Sequence, residues 1–424
     1  MMARSLIAAL EGRCHLRDAL VCAGFTARTF ASMRETCYSR RSLLGLGAAL
    51  LMPPRAEAQS RLRVGPDHEI KTLAEAAKRA RDGQVLEVQA GDYVRDVTAW
   101  TQNDLTLRAL NGRVRMIADG ASAQGKGIFV TSGERMRIEG FDFLACQVPD
   151  QNGAGIRLER GSLFLKDCRF QNNENGLLAG NDEHARLEAE DCEFGPIVRH
   201  EGQNHNIYVG AIAYFRAVGC YFHHGESGHL LKSRAAVNHI FYNRLTDELG
   251  GHASYELEFP NGGLAVVLGN MIQQGSGTEN PHIISYGAEG YRWPRNELHL
   301  VHNTIVDQRG GEGIYLRVSP PSAGAQAAEV RLRDNLLLGT AYVGDPALWS
   351  QWEARLGNFV AAGRDFVNLA GLDLALRPGS SLRGKAVDPG KLDELSLRPT
   401  HQFHLPRGTT ALRGPARNPG AVQQ

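Results

Sequence analysis

The sequence predicts an all-β protein, a single-stranded right-handed parallel β-helix over residues 59–345 with an N-terminal capping helix. Three observations predict it. A four-residue signature recurs at intervals of 23 to 33 residues. A short apolar stretch precedes each copy. A polar loop and a further short strand follow it. Two or three short strands per repeat, separated by turns, build one coil of a parallel solenoid.

The copies are Gly140-Phe141-Asp142-Phe143, Asp167-Cys168-Arg169-Phe170, Asp191-Cys192-Glu193-Phe194 and Gly219-Cys220-Tyr221-Phe222. They continue as Tyr242-Asn243-Arg244-Leu245, Gly269-Asn270-Met271-Ile272, His302-Asn303-Thr304-Ile305 and Asp334-Asn335-Leu336-Leu337. Gly357-Asn358-Phe359-Val360 reads as a last, degraded copy. Coils of such a solenoid stack about 4.8 Å apart, so like residues fall on like. The second signature position therefore forms a column of Phe, then Cys, then Asn. Stacked Asn amides hydrogen-bond up the column and satisfy buried turn carbonyls. Cys168, Cys192 and Cys220 read as small apolar fillers in the same column; the alternative is a redox or metal role.

Before the first coil, Leu73, Ala76, Ala77 and Ala80 make a helical stripe within 72–81, ended by Asp82-Gly83. A helix there plugs the open end of the solenoid. After about residue 345 the repeat fades. Residues 346–424 read as a tail that packs along the outside or caps the C-terminal end.

Residues 1–58 read as an address. Arg40-Arg41 is a twin-arginine pair, Leu43 to Met52 is an apolar run, and Ala56-Glu57-Ala58 is a small-x-small cleavage pattern. The run of about 10 residues is too short to span a bilayer, which needs about 20. The segment resembles a Tat export signal. It implies a Tat translocase partner during export, a periplasmic or secreted bacterial protein, and no stable membrane anchor in the mature form. A start at Met33 gives a signal of ordinary length. Three of the seven cysteines precede the expected cleavage. With 47 basic and 46 acidic residues the chain has no bulk basic character, which argues against a nucleic-acid partner.

Ionisable residues concentrate in one stretch. Ten of the 15 histidines lie between His200 and His302. Four dense motifs sit there between signatures: His205 to Gly210, His229 to Arg234, Ser254 to Gly263, and His282 to Gly290. Each occupies a similar place in its coil, so they stack on one face. Strand alternation sends every second side chain outward. The expected register turns Leu230 and Lys232 to solvent, because that leaves the charge in water. Packing Lys, Arg, Glu, Tyr and His on adjacent coils is a costly way to build a structural face. Candidate catalytic residues are Lys232, Arg234, His229, Tyr208, His205, Glu256, Glu258 and Tyr255. Candidate substrate-binding residues are Asn261, His282, Tyr286, Glu289 and His224.

The capping helix, the turn at Ala90-Gly91-Asp92-Tyr93 and the repeats resemble the pectin-lyase-like β-helix proteins across most of residues 65–340. Lys232-Ser233, followed by Asn238 and Asn243, is similar to the lysine-bearing coil of chondroitinase-B and alginate-lyase type enzymes. Where those enzymes place a partner arginine on the next coil, Glu256 or Glu258 stands near. The resemblance implies an acidic polysaccharide cleaved by β-elimination. In that reaction a group neutralises the uronate carboxylate, another takes the C5 proton, and a third protonates the leaving oxygen. Lys232 and Arg234 suit the first role or the second. Tyr208, Tyr255, His205 and His229 suit the second or third.

A hydrolase is the enzymatic alternative, with Glu256, Glu258, Asp247, Glu248 and Glu289 as candidate carboxylate pairs. The paired aspartates and Gly-His-Gly of polygalacturonases, the Asp-Pro-His-Asp of alginate epimerases and the aspartate calcium cluster of pectate lyases are absent. A zinc site from His223, His224 and His229 has no distinctive spacing. A non-catalytic polysaccharide-binding module is the remaining alternative. Nothing in the sequence requires a cofactor.

Overall fold

The computed structural model describes residues 61–198, 204–278, 280–310, 313–321, 326–344, 348 and 353–423. The twin-arginine pair, the apolar run, the cleavage pattern, Met33 and His200 lie outside the described residues.

The chain winds as a right-handed parallel β-helix with three strands per coil. Ladder I stacks the apolar stretches, among them Leu163–Lys166, Val237–Phe241 and Leu264–Leu268. Ladder II stacks the signature strands, among them Phe141–Leu144, Arg169–Gln171 and Met271–Gln274. Ladder III is a separate sheet of ten strands, from Thr98–Trp100 to Tyr342–Val343.

A helix, Leu73–Arg79, covers the first coils. Thr72 caps it by accepting the Glu75 N–H at 3.0 Å. The Asp96 carboxylate accepts the Leu73 and Ala74 N–H groups. Leu73 and Ala76 enter the core beside Leu86 and Trp100. The helix ends one residue before the last residue of the apolar stripe, because the chain turns extended at Ala80.

The expected column forms at the bend from ladder I to ladder II. Its register runs Phe141, Cys168, Cys192, Cys220, Asn243, Asn270, Asn303, Asn335 and Asn358, set by the paired residues that follow each. Each Asn amide bonds in both directions. Asn270 Nδ2 donates to the Ile240 carbonyl at 2.8 Å and to Asn303 Oδ1 at 3.0 Å. Its Oδ1 accepts the Asn243 N–H at 2.8 Å. The pattern repeats at Asn303 and Asn335, and Asn358 ends the column by donating to the Leu332 carbonyl and accepting from Asn335. The thiols take the same place: Cys168 and Cys220 donate weakly to the carbonyls of Ile138 and Ala189. Burial holds the Cys168 and Cys192 thiols well above their usual pKa, so they are inert fillers, as expected.

The residue before each column member turns the chain through the left-handed region, with φ between 51° at Asp167 and 81° at Gly140. Gly and Asp dominate there because they tolerate that conformation. Tyr242 and His302 hold it with outside support. The Tyr242 hydroxyl accepts the Thr400 N–H at 3.1 Å, and His302 lies 3.3 Å from Asp334. Inside, the fourth signature position stacks Phe143, Phe170, Phe194 and Phe222 with centroids 4.7 to 5.1 Å apart. Each buried ring contributes roughly 2–3 kcal/mol of transfer free energy.

The last rung is Phe359–Val360, paired with Leu336–Leu337. The chain then forms three antiparallel hairpins, beginning at Phe366–Asn368, Lys391–Leu392 and His401–Phe403. They pack along the outside of ladders I and II. Phe366, Leu374 and Leu376 cover Met271, Val306 and Leu336. Leu392 and Leu397 cover Val218, Val266, Leu268 and Val301. Arg407 pairs with Asp167 and Glu193, far back along the solenoid.

Asn303→Ala removes two donors and the acceptor of the Asn270 N–H from a dry column. Urea denaturation should show a loss of about 2–4 kcal/mol. A loss below about 1 kcal/mol would mean that the amides do not hold the coils together.

Candidate functional site

Ladder III pairs residue for residue. Ile207, Leu231, Leu257 and Ile284 stack inward, while Tyr208, Lys232, Glu258 and Ser285 stack outward. Two residues before the inward column, His205, His229, Tyr255 and His282 form a second stack, with centroid separations of 4.6, 4.7 and 5.9 Å. The His229 and Tyr255 rings lie 9° from parallel. Arg234 follows Lys232 by two positions and points the same way. The face spans four coils, about 14 Å at the usual strand spacing.

Two cations meet two carboxylates at its centre. Lys232 Nζ lies 3.0 Å from Glu258 Oε2 and 3.4 Å from Glu289 Oε1. Arg234 grips Glu289 as a fork, Nη2 reaching Oε1 at 2.6 Å and Oε2 at 2.7 Å, and Nε reaching Oε2 at 3.1 Å. Arg234 Nη1 also donates to the Tyr208 hydroxyl at 2.5 Å. Burial raises the Glu258 pKa, and Lys232 only partly offsets it. Partial burial pushes Glu289 upward too, but Arg234 and Lys232 outweigh it and hold Glu289 below the usual carboxylate range.

The imidazoles are neutral. Burial pushes His205 down to about 3, with Lys232 and Arg234 adding to the effect. Its Nδ1 accepts the His229 N–H at 2.9 Å, which places its ring proton on Nε2 as an outward donor. Burial, then His205 and the two cations, hold His229 well below its usual pKa. His229 Nδ1 is 3.6 Å from Glu258 Oε2, beyond hydrogen-bond length. His282 is lowered by burial and Arg317, and contacts Asn280 Oδ1 at 2.7 Å.

The structure thus brings together Tyr208, His205, His229, Lys232, Arg234, Tyr255, Glu258, His282 and Glu289. It separates four other candidates. Glu256 is fully buried, one residue before the inward Leu257, in the position that Leu230 and Ile283 fill on adjacent coils. Neither of its oxygens has a hydrogen-bond partner. Burial, then Asp247 and Asp307, raise its pKa well above 4.5, so it is a neutral core acid. Tyr286 is also core: it meets Phe259 edge to face and donates to the Gly263 carbonyl at 2.6 Å. His224 lies on the turn before ladder III, with Nδ1 2.7 Å from His223 Nδ1. Asn261 lies in the turn after Phe259 and receives the Arg292 N–H on its carbonyl.

The outward register holds for Lys232 but fails for Leu230, which is in the core with Leu231. Alternation governs only the paired segment Leu231–Ser233; one residue earlier the chain is turning inward. Of the other hydrolase candidates, Asp247 is buried and raised by that burial to about 6, and Glu248 binds Tyr221, Arg244 and Thr246. His223 and His224 meet each other, whereas His229 meets His205 and Tyr255. Among the described residues no three His, Cys, Asp or Glu form a metal-holding group. No described helix is long and apolar enough to cross a membrane.

Sequence reasoning missed the N-terminal continuation of this face. Asp150, Asn152, Arg157, Asn175 and Asn181 join His205 and Tyr208 around an open cleft of about 360 Å³. Asn175 pairs in register with His205 and accepts its N–H at 2.9 Å, while its amide donates to Asn152. The signal was available: carrying the register two coils back places Asn175 and Arg157 on the same face.

No protein-family model matches the chain, and no curated protein matches it in sequence. The chain is similar to the crystal structure of pectate lyase Pel9A, with a TM-score of 0.57 at 12% identity. The likeness covers 87% of this chain and 98% of that one. What the two share is the fold, a pectin-lyase-like β-helix.

The buried Glu256 carboxyl makes stability depend on pH. Its folded pKa is raised, so its contribution is fully present below about 4.5 and is lost as pH rises toward the folded value. Glu256→Gln removes that dependence. Melting curves between acid and mildly alkaline pH should show the variant gaining on the native chain as pH rises. A constant difference across the range would place an ionised Glu256 in the fold.

Proposed function

We propose that this chain acts on an acidic polysaccharide laid along ladder III and cleaves it by β-elimination. The observation that carries this reading is the meeting of Lys232 and Arg234 with neutral imidazoles on adjacent rungs of one outward face. Cations so placed neutralise a uronate carboxylate and make the neighbouring C5 proton more acidic. The arriving carboxylate also raises the basicity of neutral His229, which takes that proton. The C4–O bond breaks as the C4–C5 double bond forms. Tyr208 returns a proton to the leaving oxygen; its own oxygen accepts from Arg234, which leaves its O–H free to donate. His205 Nε2–H and the asparagines of the cleft hold hydroxyls of neighbouring sugars.

The hydrolase alternative needs two carboxylates flanking a glycosidic bond. Here Lys232 Nζ fills the space between Glu258 and Glu289. The fold shared with a pectate lyase supports a polysaccharide ligand. The twin-arginine pair and its cleavage pattern support delivery by the Tat translocase to the periplasm or beyond.

A panel of uronate and neutral polysaccharides, followed by ultraviolet absorbance, tests the reading. A uronate polymer should yield unsaturated products. His229→Ala and Lys232→Ala should each lower turnover by about 10²-fold or more while oligosaccharide binding persists. Reducing ends without the chromophore would point to hydrolysis. Binding with no product from any member would leave a non-catalytic binding protein.

A further inference from the structure

The Arg234 fork is already occupied by a carboxylate. Glu289 stands on the turn after the ladder III strand His282–Tyr286, and three contacts bind it to Arg234. Lys232 adds a fourth at 3.4 Å. The cations are nearly enclosed, with side-chain exposures of 16% for Arg234 and 13% for Lys232, while Glu289 is 44% exposed. A second carboxylate, Glu258, already faces Lys232 from within. A ligand carboxylate added beside Glu289 would set two carboxylates on the one Arg234 fork. The geometry offers exchange instead, because Glu289 is the exposed member and a side-chain rotation returns it to water.

We propose that Glu289 is a tethered stand-in for a ligand carboxylate, and that the seat formed by Arg234 and Lys232 takes the carboxylate of a uronic acid residue. The proposal rests on the polysaccharide reading above and adds that Glu289 fills the uronate seat until the ligand displaces it. The backbone need not move. The Glu289 N–H stays on the Pro260 carbonyl, and the flanking turn closes through the Gly290 N–H on Gly287. Only the carboxylate leaves. The exchange makes the seat selective: a neutral sugar offers Arg234 nothing to replace Glu289, so the fork stays closed to it.

The test is calorimetric titration of the full chain, as native protein and as Glu289→Gln, with oligogalacturonate and its fully methyl-esterified counterpart. Glu289→Gln should bind the acid oligomer about tenfold more tightly, and the esterified one with unchanged affinity. Adding Arg234→Gln to the Glu289→Gln chain should abolish the difference between the two ligands. Equal tightening for acid and ester, or no tightening where the native chain binds the acid, overturns the stand-in role and leaves the polysaccharide reading in place. No binding of either oligomer to any variant, with all melting at the native temperature, overturns both.

Discussion

Each coil bends sharply between ladders I and II, and the bend buries backbone groups that water cannot reach. The column from Cys168 to Asn358 meets that constraint. An Asn side chain carries both a donor and an acceptor, so one residue answers a carbonyl of the coil before and an N–H of its own neighbour in the stack. Leaving such groups unmet costs about 1–3 kcal/mol each, which exceeds the net worth of any single surface contact. The column therefore fixes where each coil begins relative to the last. Once that is fixed, ladder III has no freedom to slip, and Tyr208, Lys232 and Glu258 must stand on one line.

That line is poor structural engineering. Partly buried ion pairs roughly break even against their desolvation, and neutral buried imidazoles add little. A solenoid needs none of them, as the inward column of Ile207, Leu231, Leu257 and Ile284 carries the packing. The cluster holds two cations, one exposed carboxylate held ionised, and one enclosed carboxylate held toward protonation. An arrangement with a surplus of positive charge and one exposed carboxylate is suited to exchanging that carboxylate for another.

The C-terminal hairpins account for a different anomaly. Val218, Val266, Leu268 and Val301 face outward from the solenoid yet are apolar, and Leu392 and Leu397 cover them. The two exteriors of the helix are thus differently used. The exterior of ladders I and II is packed against the tail, and the centre of the ladder III face is charged.

The recurring signature let the sequence alone determine the helix, its column and the inert role of the three stacked cysteines, because a solenoid contacts mostly its own neighbours and repeats the same local solution in every coil. It also brought Lys232, Arg234, His205, His229 and Tyr208 to one face, since the motifs recur at one place in the repeat. Three things were decided only in three dimensions. Glu256 went inward because the chain is still turning as it enters the three-residue strand Leu257–Phe259, so alternation cannot be extended past the paired residues, whereas Tyr286 follows Ile284 inward by alternation once the register is known. The shape of the cleft at Asn152 and Asn175 came from the loop that carries Asp150 and Asn152, although the register alone places Asn175 and Arg157 on the face. Glu289 reached Arg234 across 55 residues of sequence; that pairing depends on the path of a turn between coils, which the repeat leaves free to vary.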